Sequence, residues 1–426
     1  MVFHLPEGDR RLAVTAGLVG NVMEWYDFAL YGYMALYLSG LFFPAGSHAA
    51  SLLATYGVFA AGFLMRPIGS AFFGWLGDTI GRSKTMLFSV AMMAIPTVAL
   101  GLLPTYEQAG LTATVLLVVI RLVQGLSVGG EFSSSVTYLV ETAPEGLRGL
   151  SGSWANVGSL IGMLLGSGMA ATVTSLFSAD AVHEWAWRVP FLFGGAMGSV
   201  AIYLRRHLPK SEAFSQHVKE HGRCSPLKEA FTANRKQMVQ GTIFASAYGA
   251  LFYLALVYLP TWLSEYSGLR TDVALRLNTL ATALLIPAIP LAGWLSDRFI
   301  RRTHLLVLAI AAIGVLALPL HLWMQSGDVW AAAVTQVVFA VCIAFPCGVG
   351  PAMFVELFPT RDRLSGYSVT FNVGMGVVGG STPAVVTWLI SKTGYSLVPG
   401  LYMAGAAMIA IAALMWITDR SREPLS

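Results

Sequence analysis

The chain has 426 residues, of which 56% are hydrophobic and only 11% charged, with a net charge of +4. Soluble proteins carry roughly 25% charged residues, so this composition excludes a soluble globular protein, which needs more charge to cover its surface. Its 44 glycines and 19 prolines suit membrane helices, where small residues permit close packing and neighbouring groups repair interrupted backbone bonds.

The apolar residues fall in twelve runs, each close to the roughly 20 residues that span a bilayer as a helix. In chain order the predicted spans are 14–42, 50–77, 86–103, 112–140, 150–176, 188–206, 237–265, 273–298, 304–324, 329–357, 365–391 and 397–418. The first is too long for the apolar core of a secretory leader and has no small-residue cleavage site behind it, so it reads as a retained span. Residues 1–206 are expected to form one six-helix bundle and residues 237–426 a second. The polar stretch 207–236 between them, with Lys210, Glu212, Lys219, Glu220, Arg223 and Lys228, reads as a linker carrying an amphipathic helix on the membrane surface.

Twelve spans put both termini on one side of the membrane. That side collects 20 of the 26 Lys and Arg residues, and the excess of basic residues makes it cytoplasmic. The positive charge therefore reflects topology and not nucleic-acid binding. Cys224, Cys342 and Cys347 have no metal-type spacing and read as free thiols. No metal site and no cofactor are expected.

Charge inside the spans is sparse. A charged side chain in hydrocarbon costs several kcal/mol, so such residues face a cavity or a partner. The first span carries Asn21, Glu24, Phe28 and Tyr31 along one stripe, with Asp27 three residues from Glu24. The second carries Arg66, and the fourth carries Arg121, Gln124, Val128, Glu131 and Ser135 along another stripe. Counting helical rise from the span ends puts Glu24, Asp27, Arg66 and Glu131 near one depth and Arg121 towards the outer half.

Two readings follow: a cavity wall with acids that bind a proton and arginines that bind an anionic group, or an ion-pair lattice such as Asp27–Arg66 that only fixes packing. On the functional reading Asp27 and Glu131 are the best proton carriers, with Glu24 next. Burial favours the protonated carboxyl, and access of water or an arginine favours its release. Arg66 and Arg121 hold a substrate carboxylate through forked hydrogen bonds, or Arg121 instead sets the coupling. Asn21, Tyr31 and Gln124 complete that wall.

The chain also repeats. Gly74, Trp75, Leu76, Asp78 and Arg82 recur 219 positions on as Gly293, Trp294, Leu295, Asp297 and Arg301. Glu141, Pro144 and Arg148 recur 215 positions on as Glu356, Pro359 and Arg363, and Asn156-Val157-Gly158 recurs 216 positions on as Asn372-Val373-Gly374. Near-equal offsets mark two copies of one unit, the sign of a transporter built from related halves around one site. The Asp and Arg at helix ends read as a gate clamp, Asp78 with Arg82 and Asp297 with Arg301, joined by Glu141, Arg148, Glu356 and Arg363. Ile300 stands where the first copy has Gly81, which predicts a looser second turn. The second half offers Tyr248, Tyr253 and Asn372 as pocket residues, with Asn156 answering Asn372 in the repeat. His321 falls near a span end and reads as a surface histidine.

Several stretches together resemble the major facilitator superfamily. Gly74-Trp-Leu-Gly-Asp78-Thr-Ile-Gly81-Arg82-Ser-Lys84 looks like its loop motif between the second and third helices. Four more are similar to its metabolite:proton symporter branch: Gly20-Asn-Val-Met-Glu24-Trp-Tyr-Asp27-Phe, Phe63-Leu-Met-Arg66-Pro-Ile-Gly69, Arg121-Leu-Val-Gln-Gly125-Leu-Ser-Val-Gly-Gly-Glu131 and Trp185-Ala-Trp-Arg188-Val-Pro-Phe. That branch carries α-ketoglutarate, citrate, shikimate, proline and betaine in bacteria. The resemblance implies an all-α membrane protein of twelve transmembrane helices in two pseudo-symmetric bundles, alternating access and proton-coupled uptake. The long C-terminal coiled coil of some osmosensing relatives has no counterpart here. Helix 5 carries Gly158, Gly162 and Gly166 but not the Gly-Pro pair typical of the superfamily's drug/proton antiporters.

The function expected is therefore import of a small organic acid, with a zwitterion such as betaine or proline as the alternative. A non-transporting membrane sensor is the alternative of another class. An enzyme is not expected, since no phosphate loop or nucleophile constellation is present. The partners are the substrate, a proton and the lipid bilayer of a bacterial cytoplasmic membrane, with the protein a monomer.

Overall fold

The computed structural model describes residues 7–43, 48–208, 231–232 and 234–425. Most of the stretch expected as linker and amphipathic helix, residues 209–230 and 233, lies outside the described residues.

Twelve long helices follow one another among the described residues. They are α1 (Glu7–Tyr33), α2 (His48–Ile80), α3 (Arg82–Leu102), α4 (Leu111–Glu141), α5 (Arg148–Leu176) and α6 (Arg188–Arg206). The second set is α7 (Arg235–Tyr266), α8 (Thr271–Arg298), α9 (Arg302–Met324), α10 (Val329–Leu357), α11 (Arg363–Thr393) and α12 (Val398–Trp416). Nine of the described helices are long and apolar enough to cross a membrane by length and composition alone. The other three, α1, α2 and α6, include Glu24, Asp27, Arg66, Asp78, Arg188 and Arg205.

The apolar runs locate the helices, and local chemistry sets their ends. The first run breaks at Met34, after which a short helix, Ala35–Phe42, continues it. Asp328 caps α10 by accepting from the Trp330 N–H, and Gly394 ends α11 at φ 74°. Two helices carry π-helical turns, Tyr253–Tyr258 in α7 and Asn372–Gly379 in α11. Apolar periodicity does not announce such turns.

The chain divides into two compact units. One holds α1–α4, α5 from Gly158 onward, and α6; the other holds Ala143–Val157 and α7–α12. In the first, α2 packs along α4, α3 along α4 and α6, and α1 along α6. In the second, α8 packs along α10, α9 along α10 and α12, and α7 along α12. The same neighbours recur six helices later, as the repeat predicts.

Glycine brings backbones together where the first unit is tightest. A Cβ on Gly129 of α4 would lie 2.6 Å from the Ser70 nitrogen of α2. One end of this unit is closed by an aromatic and aliphatic core that includes Tyr26, Tyr31, Phe42, Trp187 and Phe191.

Candidate functional site

In the first unit, Asp27, Phe28, Arg66, Arg121 and Gln124 line a small cavity together with Gly62, Met93, Gly125 and Val128. Asp27 is its best-held member. Its Oδ2 accepts from Arg121 Nη1 at 2.8 Å, and its Oδ1 accepts from Thr97 Oγ1 at 2.8 Å and Gln124 Nε2 at 3.0 Å. Gln124 also donates to Thr97 at 2.9 Å. Three helices thus converge on one carboxylate that is 1% exposed.

Arg121 lies over the Tyr31 ring, 3.7 Å from its centroid. Its Nε and Nη2 have no hydrogen-bond partner among the described residues, so part of the guanidinium fork remains unspent beside the cavity. Arg66 lies over Phe28, 5.0 Å from the ring centroid.

The ion pair is Asp27–Arg121, not Asp27–Arg66. Helical rise alone separates Arg121 from Asp27, and the length of the arginine side chain closes the gap. Tyr31 donates to the Thr55 carbonyl at 3.3 Å. Asn21 donates to Gly17 O at 2.8 Å and to Ser135 at 3.0 Å, which ties α1 to α4.

Glu131 sits in a separate knot. It accepts from Ser89 and forms an ion pair with Arg205. Arg205 also donates to Met86 O at 2.7 Å and Ala16 O at 3.3 Å, so one guanidinium links α1, α3, α4 and α6. Arg205 falls at the very end of the predicted span 188–206 and is not among the candidate residues, yet it is 2% exposed. The signal was available: Gly194, Gly198, Ala201 and Arg205 share the buried face of α6, and helical spacing continues that stripe to the arginine. Glu24 is 3% exposed and its Oε2 has no hydrogen-bond partner among the described residues.

The expected clamp residues gather in each unit. In the first, Arg82 meets Asp78 at 3.0 Å and Glu141 at 3.4 Å, and donates to Gly77 O at 3.0 Å. Gly81, at φ 99°, makes a one-residue link between α2 and α3. Such a φ is open to glycine and strained for other residues. Gly74 lies buried on α2.

In the second unit Asp297 accepts from the N–H groups of Gly149 at 2.8 Å and Leu150 at 2.9 Å. This places a carboxylate on the positive end of a helix. The arginine beside it is Arg302, at 3.1 Å, and not the Arg301 that the repeat predicts, which is exposed. Ile300 explains the shift. Without a left-handed glycine, the link from α8 to α9 takes the three residues Phe299, Ile300 and Arg301, and the buried guanidinium arrives one residue later.

Arg302 grips Glu356 through Nε at 2.7 Å and Nη2 at 2.9 Å, and donates to Ser296 at 2.7 Å. Arg148 meets Glu356 at 3.3 Å and donates to the Glu423 carbonyl at 2.8 Å. Arg363 caps α10 through Val355 O at 3.2 Å and Phe358 O at 3.1 Å. Next to this network Asp419 accepts from the N–H and hydroxyl of both Thr303 and Ser421. Burial alone would raise this carboxyl, but those hydrogen bonds outweigh it and hold it below its ordinary 3.8.

The remaining pocket residues of the second unit sit in two places. Asn156 donates to the Cys347 carbonyl at 2.7 Å, and the Tyr248 hydroxyl lies 3.1 Å from the Cys347 sulfur. Tyr253 and Asn372 open the two π turns, Asn372 donating to Ser368 O at 2.9 Å. His321 is not a surface residue: it is 1% exposed, packs between Trp262 and Phe339, and its Nδ1 lies 2.8 Å from Ala317 O.

Comparison with known proteins gives this arrangement its setting. A family model described as "Sugar (and other) transporter" matches residues 12–225, and one described as "Major Facilitator Superfamily" matches residues 270–426. The chain is 32% identical to the ectoine/proline transporter ProP of Corynebacterium glutamicum, over 99% of its own length and 86% of that protein. It is 36% identical to the alpha-ketoglutarate permease of Escherichia coli over 89% of its length and 87% of that protein. With the citrate-proton symporter of Klebsiella pneumoniae it shares 32% identity over 98% and 94% of the two chains. The fold matches the proton:xylose symporter XylE with a TM-score of 0.82 at 17% identity, covering 99% of this chain and 98% of that one. The twelve-helix chain thus belongs to the major facilitator superfamily, among its metabolite:proton symporters.

Proposed function

We propose that this protein imports a small carboxylate-bearing metabolite together with protons, that the cavity of the first unit is part of its binding site, and that Asp27 carries a coupling proton. The observation that carries this reading is the Asp27–Arg121 pair on the wall of a cavity that Arg66 also lines. While Asp27 is ionised it occupies Arg121. A proton on Asp27 removes the charge that holds the guanidinium and leaves Arg121 to a substrate carboxylate, with Arg66 as the second cation. Thr97 and Gln124 keep the carboxyl oriented in both states. Protonation and substrate binding then favour each other, which is the linkage symport requires.

In this reading the protein works by alternating access in a bacterial cytoplasmic membrane, with both termini cytoplasmic and the Asp78–Arg82–Glu141 and Asp297–Arg302–Glu356 clusters acting as latches. Tyr248, Tyr253, Asn156 and Asn372 shape the second half of the pathway. Two arginines on one cavity favour an organic acid as substrate. A zwitterion is the second reading, supported by the proline and ectoine relative and by the aromatic rings of Phe28 and Tyr31 beside the cavity, which suit a quaternary ammonium.

Reconstituted protein tests this with labelled α-ketoglutarate, citrate, proline and betaine. An inward proton gradient should raise uptake of one of them, and an uncoupler should abolish the rise. Asp27→Asn should lose accumulation while keeping counterflow exchange; a variant that still accumulates normally removes Asp27 from the mechanism. Arg121→Lys, which keeps the charge but not the fork, should weaken carboxylate binding about tenfold, or roughly 1.4 kcal/mol.

A further inference from the structure

Besides Asp27 and the Arg205-paired Glu131, the first unit holds a further buried carboxylate. Glu24 lies one helical turn before Asp27 on α1 and is 3% exposed. The charged groups that act on it from neighbouring elements are Glu131 on α4, Arg66 on α2 and Arg205 on α6. Arg205 is already committed: it pairs with Glu131 and donates to two backbone carbonyls. Gly20, one turn before Glu24, is where the Arg205 guanidinium crosses α1, since a Cβ there would collide with it. Glu24 is left with an oxygen, Oε2, that has no hydrogen-bond partner among the described residues.

A second observation points to the missing component. Asn21 lies three residues before Glu24 on the same helix face, and its Oδ1 is a buried acceptor without a partner among the described residues. Its amide nitrogen is spent on Gly17 and Ser135. A carboxylate offers only acceptors, so an ionised Glu24 brings no donor to a helix face that already carries an unpartnered acceptor, and it adds a negative charge within the field of Glu131. A protonated Glu24 supplies one O–H donor and removes the like charge.

We propose that Glu24 is a second proton-binding site, one helical turn from Asp27, and that the transporter moves two protons per substrate. The inference rests on the symport reading above. The proton enters on Oε2 from water on one side and leaves as Glu24 ionises. Arg205 and Ser89 meanwhile hold Glu131 in place, which makes Glu131 a positioning residue and not a carrier.

Infrared difference spectroscopy of the reconstituted protein at neutral pH, without substrate, tests the site. The carbonyl-stretch band of a protonated carboxylic acid should be present in the wild type, lost in Glu24→Gln, moved in Glu24→Asp and kept in both Asp27→Asn and Glu131→Gln. A band unchanged by both Glu24 substitutions overturns the proposal. Transport supplies the second arm. The logarithm of the proline or α-ketoglutarate accumulation ratio, whichever is carried, should rise with imposed pH difference at slope two in the wild type and slope one in Glu24→Gln. A wild-type slope of one overturns the second proton alone, whereas a slope of zero overturns symport itself.

Discussion

Arg205 and Arg206 stand side by side in the chain and meet opposite fates: the first is buried at a four-helix junction, the second exposed. Arg301 and Arg302 repeat that contrast, with the later residue buried against Asp297 and Glu356. Arg302→Ala leaves two buried carboxylates facing each other and should destabilise the protein by about 3–5 kcal/mol. Arg301→Ala should leave the thermal midpoint in detergent unchanged. Equal losses from the two would mean that the repeat, and not the contact, sets the role. Residue identity was legible where a charge interrupts an apolar run, as at Asp27, Arg66 and Arg121. Partner choice was not, because it turns on side-chain reach: Asp27 takes Arg121 across helices and leaves Arg66 over Phe28. Arg205 escaped notice because it falls where a span ends and loop cations begin.

Among elements, the stripe Gly158, Gly162 and Gly166 on α5 finds its reason in α1. A Cβ on Gly158 would lie 2.6 Å from Leu18 O, one on Gly162 2.9 Å from Tyr26 N, and one on Gly166 2.8 Å from Tyr26 O. The glycines let α1 lie against α5, and α1 carries both Glu24 and Asp27. Gly162→Val should therefore push α1 aside, cost about 1–3 kcal/mol and reduce accumulation more than exchange. A variant with lowered stability and normal coupling would confine the stripe to packing. Span positions and the four-residue glycine spacing were readable because both are periodic. The break at Met34 and the π turns of α7 and α11 were not. Each alters the backbone by a residue or less within a continuous apolar run, and a hydropathy pattern cannot register so small a change.

For the molecule as a whole, the duplicated motifs correctly announced that each unit uses the same helix neighbours. The copies differ where the chain differs. A one-residue glycine link closes the first clamp, and a three-residue link the second. The second unit adds contacts without a counterpart in the motif, from residues beyond α12. Asp419 binds Thr303 at the start of α9, and its carboxyl is held low by those bonds. A lowered value means that this contribution is complete above the ordinary aspartate range and lost only as pH falls through the lowered value. Tail docking should therefore be indifferent to pH between about 5 and 8. Limited proteolysis after residue 416 should proceed at the same slow rate throughout that interval. Acceleration near pH 6 would assign the tail's attachment to a different group.

The hydrogen bond from Arg148 to Glu423 uses the main-chain carbonyl and ignores the glutamate side chain. Position 423 is therefore free to carry a reporter: Glu423→Cys keeps the bond and accepts a dye. Because Arg148 also grips Glu356, and Glu356 grips Arg302, any rearrangement that parts those three groups would release the labelled tip. Its fluorescence anisotropy would then report, turnover by turnover, whether those contacts open during transport, as the proposed latch requires.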